Sequence, residues 1–323
     1  MSTTVTTTQL QRLRPSTPRI GLALGGGGAR GLAHLLMLEA FDELGVRPAA
    51  IAGTSIGAIY GAAFASGLSA KLIRAHTEEA LSQRFDLVRQ LYSARAEPIA
   101  KLFRLLPMRA ALLDPVALLD IVLPSKVPAT FAGLDIPLAI VATDFYAQEQ
   151  VTITSGPLRK AIGASMALPA LFQPVLHEGR TLMDGGLVNP LPFDLLVGAV
   201  DLTVAIDVSG GAHEPSKSRI PGATEVLFSA TQILQRSIVR EKLKSSKPDV
   251  YIDVAVDQFH VLEFHRLKEI LAAAAPAKEE LKRELARILS AGSVEPAPPA
   301  PAEPARIEPE PKPRRLLPRR KKA

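Results

Sequence analysis

The chain has no cysteine among its 323 residues. Disulfide staples and thiolate metal sites are therefore excluded, and the absence fits a reducing compartment. The first 18 residues are rich in Thr and Ser, carry Arg12 and Arg14, and lack the apolar stretch of a secretory signal. No run reads as a membrane span. The longest uncharged stretch, residues 49–70, is full of small residues and reads as a buried strand, turn and helix. The excess of positive charge is local. Lys and Arg number 38 against 32 Asp and Glu, but seven of the cations fall in residues 312–323, where there is no acid. Without those seven, 31 bases face 32 acids, so the body of the chain offers no electrostatic case for a nucleic-acid partner.

What is present is a regular alternation. Apolar, β-branched runs at residues 20–24, 49–52, 202–208 and 250–254 read as strands. Residues 137–143 read as a strand paired with 150–154, and residues 176–183 as a hairpin about Glu178-Gly179. Helical patterns occupy 30–44, 56–66, 158–166, 224–243 and 263–290. Residues 69–123 read as helical with breaks at Pro98, Pro107 and Pro115. This order predicts a three-layer α/β/α fold with a mostly parallel central sheet over residues 16–291. Residues 1–15 are expected to be a flexible N-terminus. Nine prolines between Pro296 and Pro318 cannot build a core, so residues 292–323 are expected to form a disordered, basic tail.

Two motifs carry chemistry. The run Gly25-Gly26-Gly27-Gly28-Ala29-Arg30-Gly31 follows the first strand and opens a helical pattern. Backbone N–H groups at such a start point outward and favour negative charge. Gly26, Gly28 and Gly31 also fit the dinucleotide fingerprint, but the next strand carries no acid to hold a ribose. A phosphate loop would need Gly-Lys-Ser/Thr, and Leu32 follows Gly31. Arg30 opposes the helix dipole, at a cost of about 0.3–1 kcal/mol. It needs a use: orienting the loop, holding an anionic head group, or a structural ion pair.

The second motif, Gly53-Thr54-Ser55-Ile56-Gly57, fits G-x-S-x-G between a strand and a helix. A serine nucleophile needs a base. His34, His76, His177, His213, His260 and His265 occupy no setting that singles one out, and His34 reads as a partly buried or surface residue. Asp184-Gly185-Gly186, after the apolar pair Leu182-Met183, is the better candidate: a carboxylate ending a buried strand with glycines removing steric cover. Its plain alternative is an ordinary Asp-Gly turn.

Taken in order, the glycine run, the serine pentapeptide, the block Ala164-Ser165-Met166-Ala167-Leu168-Pro169-Ala170-Leu171-Phe172-Gln173-Pro174-Val175 and the Asp-Gly-Gly triplet resemble the patatin-like phospholipase family over roughly residues 19–260. The resemblance implies Ser55 as nucleophile and Asp184 as its base, in a dyad without histidine. It implies an oxyanion hole at Gly27 and Gly28, with Arg30 holding the loop. It implies neither metal nor organic cofactor. The expected activity is phospholipase A-type hydrolysis of fatty acyl esters through an acyl-serine. The alternatives are a general carboxylesterase or thioesterase on the same dyad, a membrane-binding regulatory module with vestigial catalysis, and a dinucleotide oxidoreductase. The expected partner is a lipid or phospholipid, the expected location cytoplasmic with peripheral contact at the inner face of the membrane. Residues 99–113 mix Leu102, Phe103, Leu105 and Leu106 with Lys101, Arg104 and Arg109. That segment and the basic tail are the sequence's candidates for such contact.

Overall fold

The computed structural model describes residues 18–93, 113–211 and 222–291. The expected N-terminal and C-terminal tails, and the basic apolar segment short of Leu113, lie outside the described residues. Eight strands form one sheet: β1 Ile20–Leu24, β2 Ala50–Thr54, β3 Leu138–Asp144, β4 Glu149–Ile153, β5 Val175–His177, β6 Arg180–Asp184, β7 Leu202–Asp207 and β8 Val250–Asp253. The α-helices are α1 His34–Glu43, α2 Ile56–Ala65, α3 Ala70–Ser93, α4 Pro115–Val122, α5 Leu158–Ser165, α6 Ala223–Ser245 and α7 Leu267–Ala291. The helix expected from residue 30 begins as a tight 3-10 segment, Gly28–Ala33, before α1.

The sheet is mixed. β3, β2, β1, β7 and β8 run parallel in that order, and β4 and β6 add to β3 antiparallel. Alternation along each strand sorts the side chains by size. Ile20, Leu22 and Leu24 of β1 join Ile51, Ile140, Val204, Ile206 and Ile252 in a large core with α1, α2 and α7. Ala23 joins Ala52 and Ala205 on the opposite face, where Leu191, Phe193 and Val239 of α6 pack. Helices thus cover both faces, and the fold has three layers as the alternation predicted. The alanine stripe makes the second layer thin, because a side chain of one carbon lets the covering segment lie close.

Two features of the sheet position the site. First, β1 is flanked by β2 on one side and β7 on the other. The chain order reverses there, and a crevice opens beyond the carboxyl ends of the strands. Second, β2 and β6 share one edge of β3. β4 pairs with residues 140–144 of β3, so it must hold the edge opposite to β2, which pairs with 138–141, and opposite to β6, which pairs with 142–144. Thr54 lies against Val141, and Asp184 lies against Ala142, the next position. The end of β2 therefore meets the end of β6 on the same edge.

The thin layer should not tolerate bulk. Ala205 is fully buried on the alanine face. Ala205→Leu is expected to cost about 1–3 kcal/mol by overpacking, read as a lower midpoint in urea unfolding. An unchanged midpoint would mean that the face has room to spare.

Candidate active site

The turn from β2 into α2 is forced by its glycines. Ser55 has φ 55° and ψ −121°, a conformation that a side-chain-bearing residue adopts only at a cost of roughly 1–3 kcal/mol. A Cβ on Gly53 would collide with the backbone of Gly57 and Ala58, and one on Gly57 with the carbonyl of Leu24. Only glycine at both positions lets the turn fold tightly against β1. The Ser55 amide donates to Ser165 Oγ at 2.8 Å, and Thr54 Oγ1 donates to the Asn189 carbonyl at 2.8 Å. Both ends of the elbow are thereby tied to segments more than a hundred residues away in the chain.

Asp184 closes β6. Ser55 Oγ donates to its Oδ2 at 2.9 Å, and the Gly186 amide donates to its Oδ1 at 2.7 Å. Thr143 Oγ1 holds its carbonyl at 2.7 Å. Asp184 is buried, and loss of water pushes its carboxyl up to about 6, against the two hydrogen bonds that favour the ionised form. Gly185 has no Cβ because one would strike the Val141 carbonyl of β3.

The glycine run supplies amides. Those of Gly25, Gly26, Ala29 and Arg30 all donate to backbone carbonyls, of Ile206, Pro190, Val261 and Gly27 respectively. Among the described residues the amides of Gly27 and Gly28 have no such acceptor. Both residues line a small cavity of about 40 Å³ together with Gly26, and its polar lining groups include Ser55 and Asp184. Gly28 sits at φ +57°, and a Cβ there would strike the Val261 carbonyl.

Two buried side chains brace this loop. The Arg30 guanidinium is buried and donates from Nε to the Phe259 carbonyl at 2.6 Å and from Nη1 to the Ser209 carbonyl at 2.5 Å. Burial lowers its pKa to about 10, with Asp257 and Glu263 opposing that shift from a distance, so it stays cationic at neutral pH. It does not line the cavity. Of the three uses open to it from sequence, orienting the loop is the one its contacts serve. His34 departs from expectation. It is fully buried, not partly exposed, and its Nε2 donates to the Gly25 carbonyl at 2.9 Å. Burial pushes its pKa down to about 4, so the ring is neutral. Gly31 comes close to α2 instead of facing the cavity, since a Cβ on it would overlap Ile56.

Sequence reasoning missed the walls. α6 contributes Phe228, Thr231, Gln232 and Gln235 to the small cavity. A second cavity of about 140 Å³ also opens at Ser55, lined mainly by apolar residues including Leu32, Ile59, Leu81, Leu118, Met166 and Phe172. Gly28, Ser55, Leu168 and Val261 border both. Among the described residues Asp184 is the sole carboxylate, and no cation or histidine lines either cavity. His213 lies outside the described residues. Ser165 had a signal of sorts, lying in the block that resembles the family. Wall residues Met166, Leu168, Leu171 and Phe172 share that block, whereas the walls from α3, α4 and α6 had no such signal, because those helices are scattered along the chain.

A family model described as patatin-like phospholipase matches residues 22–197. An uncharacterized NTE family protein of Mycobacterium tuberculosis is 36% identical over 210 residues, covering 65% of this chain and 54% of that protein. Patatin-like phospholipase domain-containing protein 7 of Rattus norvegicus is 30% identical over 277 residues, covering 78% of this chain and 20% of the relative. The chain thus spans about half the mycobacterial relative and a fifth of the rat one. Among solved structures, VipD from Legionella pneumophila aligns with a TM-score of 0.44 at 15% identity, over 83% of this chain and 67% of its own. Human GIVD cytosolic phospholipase A2, in complex with methyl gamma-linolenyl fluorophosphonate inhibitor, aligns at 0.45 and 12% identity, over 85% and 60%. The matched stretch runs from β1 through the serine elbow and Asp184 to the segment that packs on the alanine face, and the chain belongs to the patatin-like phospholipase family.

Proposed function

We propose that the protein is a phospholipase A-type lipid acyl hydrolase working through a Ser55–Asp184 dyad. The observation that carries this is the direct 2.9 Å hydrogen bond from Ser55 Oγ to a buried carboxylate, beside two amides with no backbone acceptor among the described residues. A carboxylate in water is too weak a base for a hydroxyl. Burial raises its proton affinity and so makes transfer during attack less uphill. Ser55 Oγ would bond to the ester carbonyl carbon while its proton passes to Asp184 Oδ2. The carbonyl oxygen would take the charge against the Gly27 and Gly28 amides. The C–O bond of the leaving alcohol would then break, with the proton returning from Asp184 to that oxygen. In the second half, Asp184 would take a proton from water as it attacks the acyl-serine, and return it to Ser55 Oγ as the fatty acid departs.

The cavities support a long-chain ester as substrate. The apolar one beside Ser55 suits an acyl chain, and the Thr231, Gln232 and Gln235 side suits the polar alcohol portion. Comparable turnover of short soluble esters and of phospholipid would move the assignment to a general carboxylesterase.

Ser55→Ala is expected to abolish both ester hydrolysis and labelling by a fluorophosphonate probe in a folded protein. Wild-type-like turnover in that variant would refute the mechanism. Gly28→Ala is expected to lower kcat by about 10²–10³ by displacing an oxyanion donor, with little change in KM. A normal kcat in a variant folded by circular dichroism would remove the loop from the oxyanion site.

The dyad also sets a pH dependence. Activity should rise with pH through about 6, where Asp184 ionises. Stability runs the other way. Because the folded carboxyl holds its proton above the ordinary value of 3.8, the folded state binds more protons than the unfolded between those values, and stability falls as pH rises through them. Asp184→Asn should therefore be nearly inactive, yet gain up to about 3 kcal/mol over wild type between pH 4 and 8. Urea unfolding of both proteins across that range checks it, and parallel profiles would show that Asp184 is not desolvated.

A further inference from the structure

α6 is a wall with two unlike faces. Its inner face turns Phe228, Thr231, Gln232 and Gln235 to the smaller cavity. Its outer face leaves Val226, Leu227, Ile233 and Leu234 exposed at 50%, 45%, 66% and 63%. At 100° per residue the four fall on one side of the helix, opposite the cavity-lining set. Residues 226–235 contain no charged side chain at all. The next ten residues carry Arg236, Arg240, Lys242 and Lys244 against a single acid, Glu241; Arg240, Glu241 and Lys244 continue the exposed side, with Lys244 and Glu241 paired at 2.8 Å. A helix apolar on its outer face at one end and cationic at the other has the make-up of one that lies in a lipid–water interface.

We infer that the outer face of α6 docks the protein on an anionic lipid surface. The choice of a lipid layer as occupant follows from continuity with the catalytic cavity. What covers this face sits one helix diameter, about 10 Å, from Ser55's cavity, and an apolar face immersed about 5–10 Å in the headgroup boundary would hold that cavity at the depth of acyl esters. The net positive charge of the helix end that continues the stripe matches anionic head groups. Among the described residues no helix is long and apolar enough to cross a membrane, so α6 would lie on the layer. The inference rests on the lipid acyl hydrolase reading above.

The test uses the full chain and sedimentation with vesicles of phosphatidylcholine, alone or with one quarter phosphatidylglycerol. Binding is measured at low salt and at about 1 M, where the Debye length is near 3 Å and contacts between exposed charges are screened. The double variants Val226→Ser/Leu227→Ser and Ile233→Ser/Leu234→Ser replace no cavity-lining residue. Each is expected to bind mixed vesicles at least about tenfold more weakly than wild type at either salt, with turnover of a short soluble ester unchanged. Wild type should prefer the anionic vesicles at low salt. Leu72→Ser, an exposed apolar residue on α3, should bind as wild type does. Equal binding by wild type and both double variants would overturn the inference. So would a concentration-dependent dimer that the substitutions dissolve while vesicle binding persists, since the face would then cover a second copy. Failure of wild type to hydrolyse any ester would refute the hydrolase reading, and the vesicle comparison would still be read directly.

Discussion

The hydrogen bond from Ser55 Oγ to the Asp184 carboxylate is the constraint around which the site is organised. Holding a carboxylate out of water is unfavourable, and two donors, the hydroxyl itself and the Gly186 amide, offset part of that cost. What remains appears as a raised proton affinity. The contact is possible because two strands end at consecutive positions on one edge of β3. β2 leaves that edge at the serine turn and β6 arrives there at the aspartate. The elbow glycines serve the same junction, since side chains at Gly53 or Gly57 would force the turn away from β1 and carry Ser55 off its partner.

The glycine loop poses the opposite problem. There, among the described residues, the Gly27 and Gly28 amides have no backbone acceptor in a buried loop, a state that chains ordinarily avoid. The loop stays open because its other groups are claimed. Neighbouring amides donate to β7 and to the segments at Pro190 and Val261, the Gly25 carbonyl accepts from His34, and Arg30 pins two carbonyls of adjoining loops. Asp207 belongs to this brace at one remove: its carboxylate accepts from the Ser209 amide, and the Ser209 carbonyl accepts from Arg30. A neutral histidine and a cation without a directly bonded carboxylate are costly choices for an interior, and they fit a site that needs fixed dipoles more than it needs stability.

Two cavities meet at Ser55. A larger chamber lined mainly by apolar side chains and a smaller one bordered by Thr231, Gln232 and Gln235 both open at Ser55, and under the proposed reading they would take the two halves of an ester. α6 closes the smaller chamber with its inner face while its outer face stays apolar and exposed. A helix that served only as a lid on the alanine face would gain solubility from charges at positions 226, 227, 233 and 234, and it carries none there.

Local chemistry made much of this legible in the sequence. Strand β1 spans the predicted residues, and the other strands fall within two residues of their expected bounds, because β-branched runs and turn residues act over a few positions. The glycines around Ser55 and after Asp184 were readable for the same reason: close backbone approach excludes a Cβ whatever the rest of the chain does. The sequence could name Ser55 and Asp184 as candidates, but their separation of 129 positions leaves their distance to the sheet register, and only pairing on one edge of β3 sets it. His34 looked unremarked on an amphipathic helix. It is buried because α1 is enclosed, with Arg74 of α3 reaching Glu39 and Lys278 of α7 reaching Glu39 and Glu43. The cavity walls from α3, α4 and α6, and the two faces of α6, were likewise invisible. Burial of a helix face depends on what packs against it, and that is a property of the assembled layers, not of the segment's own residues.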